Sequence, residues 1–186
     1  MNRNAFLLSL CLLWITVGCT TNVGNSSVSF ADVQTEMREN PEGLGMEKPR
    51  FSWKFTSHKP DVMQKAYQIE VAASEKDLNS ASDLLWNSGR VDSDQSVLIE
   101  YAGKPLESGR KYFWRVSVWT NQGETAKSNI QYWSTALLKD SDWKAKWIGL
   151  NDTENLKVED NRTTLPARYL RKEFEVASKP KRAVLY

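Results

Sequence analysis

Between Leu106 and Val118 the chain reads Leu-Glu-Ser-Gly-Arg-Lys-Tyr-Phe-Trp-Arg-Val-Ser-Val, a turn signal that runs into an alternating strand. Tyr112, Trp114, Val116 and Val118 recur at every second position, the period expected when one face of a sheet is buried. Gly109 marks the turn that launches the strand. A tyrosine opening such a strand, a few residues after a leucine and a glycine, predicts a tyrosine corner. In that arrangement the phenol bonds back to upstream backbone in a Greek-key sandwich. Tyr112 and Trp114 are therefore expected to be structural.

Other segments repeat the pattern. Phe51 to Ser57 alternates Phe51, Trp53 and Phe55 against polar residues, which adds Trp53 to the structural set. Ala66 to Ala73 alternates Tyr67, Ile69, Val71 and Ala73 against Gln68 and Glu70. With Phe30 to Glu36, Leu84 to Val91, Val97 to Tyr101, Tyr112 to Thr120 and Ile130 to Thr135 there are about seven short strands, the pattern of an all-β sandwich. Ser74 to Leu84 has room for one helical turn, and Asn121-Gln122-Gly123-Glu124 is a hairpin turn candidate. Asn40 to Pro49 is too rich in Pro and Gly for a regular element and is expected to shape the connection into the second strand.

The N-terminus reads as a targeting segment. Arg3 supplies a positive charge, Ala5 to Val17 is nearly unbroken apolar sequence, and Thr16-Val17-Gly18-Cys19 ends the run on small residues. That run is shorter than the about 20 residues a bilayer-spanning helix needs. It resembles a lipoprotein signal, with cleavage before Cys19 and lipid on its sulfur, although Thr16 replaces the usual branched apolar residue. Plain secretion is the alternative. Cys11 would leave with the signal, so the mature domain would hold no cysteine for a disulfide, a metal or a thiol nucleophile. The expected division is residues 1–18 as signal, 19–29 as flexible tether, 30–136 as the sandwich, 137–165 as connector and 166–186 as the start of a second sandwich. Ala167 to Val176 reads as a new strand and Lys181 to Tyr186 as the beginning of another. The connector carries Trp143 and Trp147 and is expected to pack through them.

Little in the chain points to chemistry. Lys plus Arg number 25 against 23 Asp plus Glu, with no basic run organised for nucleic acid. His58 is the only histidine and sits in a turn beside Lys59 and Pro60, which leaves the usual triads and histidine-ligated metals without their parts. There is no phosphate loop or dinucleotide fingerprint, and no cofactor is implied. Asp92 and Asp94 share a strand end, and Glu36, Glu39, Glu42 and Glu47 surround the first loop, but nothing in the sequence gathers them around a cleft. Phe113 and Trp119 fall on the strand face opposite Tyr112 and Trp114. Together with Trp143 and Trp147 they are the candidates for interdomain packing or for stacking on a sugar.

Several segments occur in an order that carries a resemblance. These are Pro49-Arg50-Phe51-Ser52-Trp53-Lys54, Ala66-Tyr67-Gln68-Ile69-Glu70-Val71, the run from Leu85-Trp86-Asn87-Ser88-Gly89-Arg90 to Ser96, Tyr112-Phe113-Trp114-Arg115-Val116 and Trp143-Lys144-Ala145-Lys146-Trp147-Ile148-Gly149. From about Val33 to Tyr186 the chain resembles the N-terminal region of bacterial α-L-rhamnosidases. The resemblance implies a fibronectin type III-like (immunoglobulin-like) β-sandwich, followed by the start of a second, carbohydrate-binding-like sandwich that is incomplete here. It places the catalytic α/α barrel and its acidic residues well beyond Tyr186, so no catalytic residue carries over. A chain of this kind is expected to be a fragment: a secreted or lipid-anchored, non-catalytic accessory module. Its expected partners are the downstream domains of the parent glycosidase and, through Cys19, a membrane. The competing expectation is a stand-alone carbohydrate-binding or adhesive lipoprotein, with rhamnose-containing glycans as candidate ligands.

Overall fold

A computed structural model describes residues 27–148, 169–180 and 183–184. Eight strands form in chain order: β1 (Val28–Thr35), β2 (Arg50–Ser57), β3 (Gln64–Ala72), β4 (Trp86–Asn87), β5 (Ile99–Glu100), β6 (Lys111–Thr120), β7 (Thr125–Lys127) and β8 (Gln131–Ser134). One sheet has the order β1-β2-β5, and the other runs β4-β3-β6 with both β7 and β8 on the far edge of β6. All of these ladders are antiparallel. The fold is an all-β, fibronectin type III-like immunoglobulin sandwich.

The alternation read from the sequence sets the inner faces. Tyr112, Trp114, Val116 and Val118 of β6 are buried, as are Ile69 and Val71 of β3 and Phe51 and Trp53 of β2. Phe51 is the aromatic centre of the core, with ring centroids 4.4 Å from Trp114, 5.4 Å from Trp133 and 6.0 Å from Trp86. Stacked, tilted and edge-on pairs such as these add about 0.5–1.5 kcal/mol each beyond area burial, and a domain without a disulfide relies on them.

Several boundaries differ from the sequence expectation, each for a local reason. The strand expected over Leu84 to Val91 is continuous only at Trp86–Asn87, and the chain returns to β3 at the single bridge between Val91 and Tyr67. Beyond β4 the Asn87 side chain accepts the Gly89 N–H at 2.9 Å, and Gly89 takes φ +62°, a conformation that turns the chain. Val97 to Tyr101 shortens to Ile99–Glu100 because Leu98 sits at φ +56°. One edge strand is longer than expected but broken: β7 pairs through Ser117↔Lys127 and β8 through Trp114↔Gln131, a register change of one residue. Ser128 spans the break by donating its N–H to the Val116 carbonyl at 2.8 Å and accepting the Val116 N–H on its hydroxyl at 3.1 Å. The helical turn is α1 (Glu75–Ser80), N-capped by the Ser74 hydroxyl, with Leu78 fully buried.

The strand expected over Ala167 to Val176 does not form within the described residues 169–180, where no ladder occurs. Tyr169, Leu170, Phe174 and Val176 are all exposed there, and a single strand without a neighbour gains neither ladder hydrogen bonds nor a buried face. The signal segment with Cys19, the tether before Ser27, residues 149–165 of the connector and all but residues 183–184 of the strand expected over Lys181 to Tyr186 lie outside the described residues.

Candidate functional site

Three regions hold the residues singled out in the sequence: a buried polar hub, the outer face of the five-stranded sheet, and the exit of the chain. Trp53 anchors the first by donating its indole N–H to Gln64 Oε1 at 2.8 Å. The Gln64 amide donates in turn to the carbonyls of Ser93 at 3.0 Å and Gln95 at 2.9 Å. Nearby, Val91 exchanges both backbone hydrogen bonds with Tyr67, and Trp53 N–H donates to the Ser96 carbonyl at 2.9 Å. The Trp86 to Ser96 run thus has a structural account, since it carries the chain from one sheet to the other across this hub. Sequence reasoning missed Gln64; its one signal is a glutamine standing just ahead of the alternation that begins at Ala66.

On the outer face, Phe113 and Trp119 point away from the core, as their parity requires, and each is half-buried. They are separated by six positions on β6, roughly 20 Å at strand spacing, so they form no common platform. The Arg90 guanidinium lies 5.1 Å from the centre of the Trp119 ring. Phe113 pairs with Tyr132, ring centroids 6.4 Å apart, and Lys111 Nζ lies 3.7 Å over the Tyr132 ring. Trp119 and Tyr132 thus each already hold a cation against one ring face. Between the two sites Arg115 bonds Glu70 at 2.8 Å and donates to the Leu78 carbonyl at 2.8 Å, which ties α1 to the sheet. Glu70 also faces Lys127 Nζ at 3.8 Å, so the buried carboxylate has two cations against it.

The exit begins at the tyrosine corner. Tyr112 Oη accepts the Glu107 N–H at 2.7 Å, and burial pushes its phenol pKa up, so it stays neutral. Thr135 bonds into the same loop by donating its hydroxyl to the Glu107 carbonyl at 2.6 Å and accepting the Arg110 N–H at 3.0 Å. Beyond it, Trp143 is 51% exposed and Trp147 fully exposed, so the packing expected of them is not made against the sandwich.

Among the described residues the acidic groups are dispersed. Asp92 and Asp94 line an open groove of about 490 Å³ beside Gln64 and Lys65, but both are exposed, and Asp92 bonds Arg90 at 3.1 Å. Glu36 is held below the usual carboxylate range by its hydrogen bonds with Arg50. Glu124 is pushed down to about 2 by Lys59 and Ser27, and it fastens the start of β1 to the β2–β3 turn. His58 is exposed. Among the described residues no group of three or more His, Cys, Asp or Glu could hold a metal, and no helix is long and apolar enough to cross a membrane.

Two sheets in this order, closed by a tyrosine corner, define an immunoglobulin-like domain of the fibronectin type III kind, a class fixed by packing rather than by chemistry. Comparison with known proteins supplies the family. The model of the "Rha78A-like, N-terminal immunoglobulin domain" matches residues 30–139. An α-L-rhamnosidase of Formosa agariphila is 45% identical over 152 residues, covering 80% of this chain and 16% of that protein. One from Alteromonas sp. is 36% identical over 179 residues, covering 92% and 19%. The crystal structure of Streptomyces avermitilis α-L-rhamnosidase complexed with L-rhamnose superposes with TM-score 0.63 at 40% identity, over 68% of this chain and 12% of that one. The structure of the enzyme from Dictyoglumus thermophilum gives 0.62 at 35% identity, over 65% and 14%. The chain belongs to the family of Rha78A-like, N-terminal immunoglobulin domains. It spans less than a fifth of the length of these relatives.

Proposed function

We propose that this chain is the non-catalytic N-terminal module of an exported α-L-rhamnosidase, anchored to a membrane by lipid on Cys19. The observation that carries this reading is the family match over residues 30–139, against enzymes of which the chain spans less than a fifth. The dispersal of acids supports it, because glycoside hydrolysis needs two carboxyl groups flanking one bond at about 5–10 Å, one protonating the leaving oxygen and the other attacking or activating water. Among the described residues Asp92 and Asp94 share the lining of one groove, and both stand exposed beside that open space. Terminal rhamnose would then be removed by a domain further along the polypeptide, while this module spaces that domain from the membrane and packs against it.

The test is a protein extended through the reading frame downstream of Tyr186. In it, Asp92→Asn with Asp94→Asn should leave hydrolysis of an aryl α-L-rhamnoside unchanged; a loss beyond tenfold would return catalysis to this module. Anchoring is read separately by incorporation of labelled palmitate, expected for the natural sequence and abolished by Cys19→Ser.

A stand-alone sugar-binding lipoprotein is the second reading, favoured by the open indole of Trp147. Calorimetric titration with rhamnose-containing glycans separates the two, since binding that is lost in Trp147→Ala would support the second.

A further inference from the structure

Resting on the reading that more polypeptide follows this sandwich, we propose that the tyrosine-corner loop doubles as the seat of a stiff joint. The joint sets the direction in which the chain leaves, and the Ser108–Asp142 pair is its latch. A segment leaving a sandwich is by default a solvated linker whose end wanders with its length. Here the departing backbone is held from two sides.

On one side the loop after β1 runs along β8 and past it. Tyr132 N–H donates to Asn40 Oδ1 at 2.8 Å, Ser134 N–H to the Pro41 carbonyl at 3.0 Å, Leu44 N–H to the Ser134 carbonyl at 2.8 Å and Ala136 N–H to the Leu44 carbonyl at 2.8 Å. On the other side stands the loop that carries Gly109, at φ +66°, whose N–H donates to the Ala136 carbonyl at 3.0 Å. Leu138 packs against the core, and its N–H donates to the Ser108 hydroxyl at 2.8 Å. That hydroxyl in turn donates to the Asp142 carboxylate. Ser108 therefore spends both its donor and an acceptor site on the departing segment.

Asp142 closes a single 3-10 turn, Asp140–Asp142, in which its N–H donates to the Lys139 carbonyl at 2.9 Å and the Trp143 N–H to the Asp140 carbonyl at 3.2 Å. An isolated turn of this length does not hold itself. The latch holds it, and the place where Trp143 emerges is thereby fixed relative to the sandwich.

Amide hydrogen exchange of the full chain, followed by NMR, tests the joint. In the natural sequence the Leu138 and Trp143 amides should exchange well below the rate of an unstructured peptide. Ser108→Ala should accelerate both by about three- to tenfold, the equivalent of one net hydrogen bond. Asp142→Ala should accelerate Trp143 alike while leaving Leu138 nearly unchanged, and Asp142→Asn, which keeps an acceptor, should restore protection. The double variant should exchange at Trp143 no faster than Ser108→Ala, because the two side chains share one bond. Core amides such as Val116 report that each variant is folded. Free-peptide exchange at Trp143 in the natural sequence would overturn the joint, as would additive effects in the double variant. A protected joint in a protein whose extended form hydrolyses no rhamnoside would retain the joint and discard the function.

Discussion

Replacing Gln64 with Ala removes the side chain that joins the buried Trp53 indole to the loop carrying Ser93 and Gln95. Three groups lose a partner: the Trp53 indole N–H and the carbonyls of Ser93 and Gln95. Trp53 is 1% exposed, so its N–H has no water to turn to and costs about 1–3 kcal/mol. The two carbonyls belong to a partly exposed loop that water reaches, and each forfeits only the net worth of its bond, about 0.5–1.5 kcal/mol. The sum is about 2–6 kcal/mol. With a urea m-value of about 2 kcal/mol/M, the unfolding midpoint followed by tryptophan fluorescence should fall by about 1–3 M. In a Trp53→Phe background, which has no indole N–H to strand, the same substitution should cost about 1–3 kcal/mol less. Gln64→Glu adds a sign. A carboxylate facing two carbonyls has its folded-state pKa raised above the unfolded value near 4.3, so this variant should lose stability as pH rises through and above that value. A Gln64→Ala cost below about 1 kcal/mol, unchanged by Trp53→Phe, would refute the hub.

Three further outcomes follow from the same geometry. Tyr112→Phe deletes the acceptor for the Glu107 N–H and should cost about 0.5–1.5 kcal/mol in thermal or urea unfolding; an unchanged midpoint would remove the tyrosine corner as a stabilising contact. Gly103→Ala places a methyl 2.5 Å from Trp86 Cβ and from the Tyr101 hydroxyl, and 2.6 Å from the Leu85 carbonyl, so it should destabilise by about 1–3 kcal/mol, and equal stability would mean that the loop relaxes freely. Glu124, with its folded-state pKa depressed to about 2, contributes stability that is present above the unfolded value near 4.3 and lost as pH falls toward 2. Glu124→Gln should therefore flatten the acid limb of the stability curve in that window, and a limb of unchanged steepness would assign it to other carboxylates.

The sandwich was legible because its inner faces are written in period two. Tyr112, Trp114, Val116 and Val118 announce β6, and Phe51, Trp53 and Phe55 announce β2, without reference to any other part of the chain. Ser74 ahead of the helical turn is equally local. What escaped the sequence depends on partners distant along it. Gln64 looks like a loop residue until Trp53 and the Ser93–Gln95 backbone close around it. Trp119 reads as a stacking platform until Arg90, remote in sequence, lies over it. The break between β7 and β8 needs Ser128 opposite Val116, a pairing that no spacing rule supplies. Trp143 and Trp147 show the converse: their aromatic character was plain, but they stand exposed, and the packing expected of them is not made among the described residues.

The most direct test of the central claim is hydrolysis of an aryl α-L-rhamnoside, measured side by side for the purified chain and for a protein extended through the reading frame downstream of Tyr186. The account predicts turnover by the extended protein alone, with the short chain at the level of buffer. Turnover by the short chain would contradict it and send the search for a nucleophile and an acid back to the carboxylates of the sandwich itself.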